Sequence, residues 1–91
     1  MPTVHVIVRG KVQGVGFRAY TEMQARALRL DGWVRNRRDG SVEALFSGEA
    51  ALIERMLIAL RVGPPNSTVT NVRSEPSEDA VPPGFRVLPT E

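Results

Sequence analysis

VHVIVRGKVQGVGFRAY, residues 4–20, passes from one hydrophobic pattern to another across a glycine-rich centre. Valine at every second position predicts a β-strand over Thr3–Arg9 with one apolar face. Residues 10–16 contain three glycines and predict a turn. From Phe17 to about Leu30 the apolar residues take a helical spacing. The stretch therefore predicts a strand that turns through glycines into the start of a helix.

A β-hairpin is predicted in the middle of the chain. Asp39-Gly40 is a strong signal for a tight turn, and it separates GWVRNRR (32–38) from SVEALFSG (41–48). The pattern does not fix the length of the connecting loop. Both orientations of Asn36, towards the core or away from it, therefore stay open.

The remaining segments complete the order of elements. Gly32 is the predicted C-terminal glycine of the first helix. An apolar stripe predicts a second helix from about Glu49 to Val62. Thr68–Ser74 and Phe85–Leu88 predict two strands, joined by a polar loop that contains prolines.

The order β-α-β-β-α-β, with the final strand split in two, indicates one fold class. We expect a single domain over residues 1–91. Two helices on one face of a four- to five-stranded antiparallel sheet form a ferredoxin-like α+β sandwich. That fold supports many unrelated activities, so the function must come from individual residues.

Composition excludes several classes of protein. The chain is 42% hydrophobic and 24% charged, its formal net charge is +2, and it has no cysteine. Disulfides, thiolate metal sites and a cysteine nucleophile are therefore excluded. The charge does not demand a nucleic-acid partner, and no run approaches the ~20 apolar residues of a membrane span. We expect a cytoplasmic monomer that binds neither nucleic acid nor membrane.

The glycine-rich turn has the properties of an anion site. A helix N-terminus has unpaired N–H groups and a partial positive charge, and Gly14 and Gly16 leave the backbone bare there. Arg18 adds a permanently charged fork suited to phosphate. The Walker pattern does not match, because Gly10-Lys11 lacks its upstream glycine and its hydroxyl. By residue types alone, the glycines are equally compatible with a turn that binds nothing.

GKVQGVGFR (10–18) together with GWVRN (32–36) resembles the acylphosphatase family, and the similarity covers almost the whole chain. The resemblance implies a ferredoxin-like fold and hydrolysis of the carboxyl–phosphate bond of a small acyl phosphate. It also implies that no metal or cofactor takes part.

Site residues follow from the same resemblance. Arg18 corresponds to the arginine that binds the phosphoryl group, and Asn36 to the asparagine that orients the attacking water. Main-chain amides of the loop are implied to bind the phosphoryl oxygens, here those of Gln13, Gly14, Val15, Gly16, Phe17 and Arg18.

Two other functions are compatible with the predicted fold. A non-catalytic anion-binding module would use the loop but has no need of Asn36. A single-stranded RNA binder needs exposed aromatic residues on central strands. The chain has five aromatic residues, and two of them lie on the first predicted helix. His5 is interpreted as a solvated or packed group, and the hairpin arginines Arg35, Arg37 and Arg38 are interpreted as solvated groups.

Overall fold

The computed structural model describes residues 1–91. Five strands form one sheet in the order β4-β1-β3-β2-β5. The elements in chain order are β1 (Thr3–Lys11), α1 (Phe17–Ala27), β2 (Asp31–Asn36), β3 (Val42–Ser47), α2 (Ala50–Val62), β4 (Thr68–Pro76) and β5 (Phe85–Val87).

Both helices pack on the same face of the sheet and enclose the core with it. Alternation along the strands turns Val6 and Val8 of β1 towards the helices, and both are fully buried. Phe17 at the start of α1 and Met56 of α2 belong to the same buried cluster as these two valines. The predicted two-layer arrangement of helices and sheet is therefore present.

Neither helix of the structure has the length and the apolar character that a membrane-spanning helix needs.

The last strand corrects one part of the fold prediction. β5 runs parallel to β2, pairing Gly32 with Phe85 and Val34 with Val87, whereas the other pairings are antiparallel. The sheet is therefore mixed and not wholly antiparallel. β4 ends at the end of the sheet where β2 begins, since Pro76 pairs with Val4 and both Thr3 and Asp31 pair with Ser47. A strand that starts from this end must run alongside β2 in the same direction.

An extra residue in β4 changes which side chains of that edge strand face the core. Arg9 pairs with Asn71, but the next residue, Gly10, pairs with Val69, so Thr70 has no partner on β1. Because of this bulge, Val69 and Val72 both pack against the core although they are three residues apart. Strict alternation could not have predicted this arrangement.

The prediction that Gly32 ends the first helix is wrong. α1 ends earlier, with Leu28 as its C-cap and Arg29 in the left-handed region at φ 55°. The N–H groups of Arg29 and Leu30 donate to the carbonyls of Arg26 and Ala25 at 3.1 and 2.9 Å. These two bonds form a Schellman motif with arginine where glycine is usual.

Gly32 instead lies in β2, where its missing side chain lets two strands approach. Its φ is +140°, and a Cβ there would lie 1.8 Å from the carbonyl oxygen of Leu45 on β3. The N–H of Gly32 donates to the carbonyl oxygen of Gly84 at 3.0 Å. Gly84 also has a positive φ of 94°, but a Cβ at Gly84 would meet nothing within 4 Å.

We therefore expect Gly32→Ala to lower the free energy of unfolding by about 3 kcal/mol or more, because the added methyl forces β2 away from β3. Gly84→Ala is the matched control, because it adds backbone strain of about 1–2 kcal/mol without a collision. Urea unfolding of the two variants measures the difference. Equal losses would show that the close approach to Leu45 contributes nothing.

Candidate active site

The loop between β1 and α1 takes a conformation that only glycines adopt without strain. Gly14 and Gly16 have φ values of 74° and 78°, and a Cβ at either position would meet nothing within 4 Å. Glycine is therefore favoured at these positions by backbone conformation and not by lack of space. Gly16 is the N-cap of α1 and makes no side-chain capping bond.

The main-chain N–H groups of this loop are left without partners. None of the backbone or side-chain hydrogen bonds of the chain involves the N–H of Gly14, Val15 or Gly16 as donor. The first turn of α1 follows directly, and its N–H groups have no intrahelical acceptor. Together with the helix dipole, these donors make the loop suitable for a small anion.

A cavity of about 480 Å³ opens between this loop, α1 and the end of β2. It brings together Arg18 and Asn36, which are far apart in the sequence. The side chains of Gln13 and Val15, whose main-chain amides were the predicted donors, are turned away from it: Val15 packs against the core, and the Gln13 side chain is bonded to the hairpin. The lining residues are Val12, Gly14, Gly16, Phe17, Arg18, Ala19, Glu22, Asn36 and Val87.

The strand register settles the orientation of Asn36. Asn36 pairs with Val42, so the hairpin loop spans residues 37–41. Val34, two residues earlier, is fully buried under the helices. Since side chains two apart on a strand share a face, Asn36 projects to the helix side and reaches the cavity.

The two polar groups expected to do chemistry have no protein partner. Arg18 forms no ion pair, whereas Arg26, Arg35 and Arg37 each pair with a glutamate. Neither the Arg18 guanidinium nor the Asn36 amide takes part in a side-chain hydrogen bond, and no buried side-chain polar atom is unsatisfied. Both groups therefore face the open cavity, where they are free to contact a ligand.

Glu22 is a cavity residue that the sequence analysis did not identify. Its carboxylate forms an ion pair of 3.0 Å with Arg26, four residues further along α1. Arg26 also donates to the carbonyl oxygen of Phe85 at 2.8 Å, which links α1 to β5. Nothing in the local sequence signals that this carboxylate borders the cavity, because that depends on the position of β5.

The hairpin loop is held in place by its own side chains. Asp39 Oδ1 accepts hydrogen bonds from the Ser41 hydroxyl at 2.6 Å and from the Ser41 N–H at 2.9 Å. These two bonds lower the pKa of Asp39 to about 2. Gln13 Nε2 donates to the carbonyl oxygens of Arg37 and Ser41 at 2.7 and 2.9 Å. The hairpin loop is therefore bonded directly to the glycine-rich loop.

The opposite face of the sheet holds the remaining candidates away from the cavity. Glu43, which is 6% exposed, accepts from His5 Nε2 at 2.6 Å and from Arg35 Nε at 2.7 Å. Arg37 lies 3.4 Å from the same carboxylate, and the Arg35 guanidinium lies over the Trp33 ring. His5 is thus packed against Glu43, as expected, whereas Arg35 and Arg37, which were expected to be solvated, form ion pairs with the same carboxylate. No group of three or more potential metal-binding side chains occurs in the chain.

Comparison with known proteins assigns the family. The family model described as Acylphosphatase matches residues 4–87. The chain belongs to the acylphosphatase family. Among its relatives, an acylphosphatase from Rhodospirillum rubrum is 50% identical over 90 residues, which is 99% of each chain.

Solved acylphosphatase structures share the fold. The structure from Bacillus subtilis has a TM-score of 0.92 at 37% identity and covers 97% of this chain and 99% of its own. That from Coxiella burnetii has a TM-score of 0.92 at 40% identity, covering 96% of this chain and 92% of its own. The ferredoxin-like fold predicted from the sequence is therefore confirmed for this member of the acylphosphatase family.

Burial and hydrogen bonding act in opposite directions on Glu43. Burial alone would raise the pKa of Glu43, but hydrogen bonds from His5 and Arg35 outweigh it and lower that pKa below its usual 4.5. A carboxyl whose folded-state pKa is lowered stabilises the fold above its unfolded-state pKa. That contribution is lost as the pH falls through the folded-state value.

We expect Glu43→Gln to lower the free energy of unfolding by about 1–3 kcal/mol near neutral pH. The difference from the unmodified protein should shrink as the pH falls below 4.5 and through the lowered folded-state pKa of Glu43, because the carboxyl is then protonated in both states. Urea unfolding of both proteins at a series of pH values measures this difference in the free energy of unfolding. Glu75→Gln, which removes an exposed partner of Arg73, is the control and should cost less than about 0.5 kcal/mol. A difference that does not change with pH would contradict the assignment.

Proposed function

We propose that this chain hydrolyses the carboxyl–phosphate bond of acyl phosphates to a carboxylate and inorganic phosphate. The observation that carries the proposal is the convergence of three features on one cavity. Unpaired loop N–H groups, the unpaired guanidinium of Arg18 and the unpaired amide of Asn36 all border it. The family assignment supports the same activity, since relatives that match almost the whole chain are acylphosphatases.

The phosphoryl group of the substrate binds at the glycine-rich loop. Three oxygens that share two negative charges need several donors from different directions. The N–H groups of residues 13–18 supply donors from the backbone, and Arg18 supplies a planar fork with a fixed charge. Phosphoryl transfer is catalysed mainly by positioning and by electrostatic stabilisation, so these groups contribute most in the transition state.

Asn36 orients the water that attacks phosphorus. A new bond forms from the water oxygen to phosphorus while the bond from phosphorus to the carboxylate oxygen breaks. The carboxylate is a good leaving group and needs no protonation. Asparagine is not basic at neutral pH, so we assign the proton released by water to an oxygen of the phosphate product.

A binding module without turnover is the competing function for the same cavity. Such a module would need only the loop and Arg18. The Asn36 side chain is turned into the cavity with no protein partner, which favours the catalytic function. Because recognition rests on the phosphoryl group, the enzyme should accept a range of acyl tails. We further propose that the cysteine-free chain acts as a cytoplasmic monomer with one domain over residues 1–91.

The test of this function is release of inorganic phosphate from benzoyl phosphate in the presence of a chelator such as EDTA. We expect turnover that the chelator does not change, because each proposed contact comes from the protein itself. Inorganic phosphate should inhibit competitively, since it occupies the same loop. Phosphate binding without turnover would favour the binding module, and activity that needs an added metal would contradict the proposed mechanism.

Variants of the two side chains test their separate roles. Arg18→Ala should lower kcat/KM by about 10³-fold or more, and Arg18→Lys should restore little because an ammonium cannot form the planar fork. Asn36→Ala should lower kcat by about 10²–10³-fold with a smaller effect on phosphate inhibition. Arg55→Ala and Asn71→Ala change the same residue types at exposed positions and serve as controls. Near-normal turnover of Arg18→Ala would exclude its role.

A further inference from the structure

The proposed reaction requires that two separate parts of the fold keep a fixed distance. The phosphoryl group binds at residues 13–18, whereas the attacking water is held by Asn36 at the end of β2. In-line attack needs the water oxygen and phosphorus about 3–3.5 Å apart, and a displacement of about 1 Å can cost roughly 10²-fold in rate. Something must therefore set the spacing between the loop and the end of β2.

Gln13 makes that connection. Its Nε2 donates to the carbonyl oxygen of Arg37 at 2.7 Å and to that of Ser41 at 2.9 Å, across 24 and 28 residues of sequence. An amide NH₂ has two protons, so both are used. No other side chain from residues 12–18 forms a hydrogen bond to the hairpin. This side chain is therefore the direct polar link between the two halves of the site.

The two acceptors lie where the hairpin loop opens next to Asn36. Arg37 follows Asn36 directly, and its N–H donates to the Ser41 carbonyl at 2.9 Å. The Arg37 carbonyl also accepts from the N–H of Gly40 at 3.1 Å. On the other side of β2, the Asn36 carbonyl accepts from the N–H of Glu91 at 3.1 Å. Asn36 is thus held by Glu91 on one side and paired with Val42 on the other, and Gln13 bonds the two residues that follow and precede this pair in the hairpin loop, Arg37 and Ser41.

We propose that the side chain of Gln13 is a positioning residue, which holds Asn36 at the correct distance from the phosphate-binding loop. This inference rests on the proposed hydrolase function. It assigns to Gln13 a role separate from that of its main-chain N–H. The side chain does not line the cavity, so it acts through Asn36 and not by contact with the substrate.

The expected effect is a loss of turnover with little loss of phosphate affinity. Gln13→Met keeps the length of the side chain and removes both donors, and we expect kcat to fall by about 10–10²-fold. Gln13→Glu keeps the shape but places a carboxylate against two carbonyl oxygens, so it should lose at least as much. Inhibition by inorganic phosphate should change by less than about threefold in Gln13→Met, which adds no charge to the loop. Retained phosphate inhibition also shows that this variant is folded.

Gln24→Met is the matched control. Gln24 is the other glutamine of the chain, it is half-buried on α1, and its side chain forms no hydrogen bond within the protein. The same substitution there should leave kcat and phosphate inhibition unchanged. A loss of kcat of similar size in both variants would show a general effect of the substitution and would overturn the assignment.

A double-mutant cycle separates positioning from a structural effect. If Gln13 acts by holding Asn36, then adding Gln13→Met to Asn36→Ala should lower kcat by less than about threefold. If the full loss recurs in that background, Gln13 acts independently of Asn36 and the proposal is overturned. Unchanged kcat in Gln13→Met, or a loss of phosphate inhibition equal to the loss of kcat, would overturn it as well.

A failure of the proposed hydrolase function can be distinguished from a failure of the positioning role of Gln13. An unmodified protein that releases no phosphate from benzoyl phosphate overturns the hydrolase function and the positioning role with it. An active unmodified protein whose Gln13 variants keep full kcat overturns the positioning role alone.

Discussion

The left-handed turn at Gly14 and Gly16 is the constraint on which the site depends. It bends the chain from β1 into α1 and leaves three consecutive N–H groups, those of residues 14–16, without a partner in the chain. Donors that are not used in folding are available to a ligand from the start, and no rearrangement is required to present them. The same turn places Arg18 one residue inside the helix, with its guanidinium free at the cavity. In the proposed function, the backbone thus prepares the binding of the phosphoryl group, and the side chains add charge and orientation.

The sheet supplies the second half of the site, because its register decides which residues share the helix side. Asn36 reaches the cavity because it lies two residues beyond buried Val34. On the reverse face, Glu43 is hydrogen-bonded to His5 and ion-paired with Arg35 and Arg37. Strand alternation thereby keeps Arg35 and Arg37, whose charges are neutralised by Glu43, on the face opposite the unpaired guanidinium of Arg18.

Local patterns predicted the elements well but not the features that depend on distant parts of the chain. Alternating valines located β1, and a glycine-rich turn before a helical spacing located the start of α1 at Phe17. Arg18 was predicted as a phosphate-binding residue from its place after the glycine-rich turn, whereas Asn36 was assigned only through family resemblance, because nothing local indicates that the two residues meet. The parallel β5 depends on the end of the sheet at which the chain re-enters. Arg29 adopts a glycine conformation because two backbone bonds of the helix end hold it there.

Polar side chains in unexpected places were also beyond the reach of sequence patterns. Thr21 is buried on the core side of α1, where a search for apolar residues does not find it. Its hydroxyl is satisfied by the carbonyl of Phe17 at 2.8 Å. The link from Gln13 to the hairpin spans too much sequence for any periodicity to reveal. To predict such contacts, one must know which backbone carbonyl groups lie opposite the side chain in the folded structure.

The bulge in β4 also affects whether the edge of the sheet can pair with a strand of a second copy of this chain. A sheet with free edges can pair with another sheet and start aggregation. Here one edge is β4, which is interrupted at Thr70, carries the charged pair Arg73 and Glu75, and ends at Pro76. The other edge is β5, which has only three residues. Both borders are therefore poor templates for intermolecular strand pairing, and the sheet can remain open-edged without a partner strand.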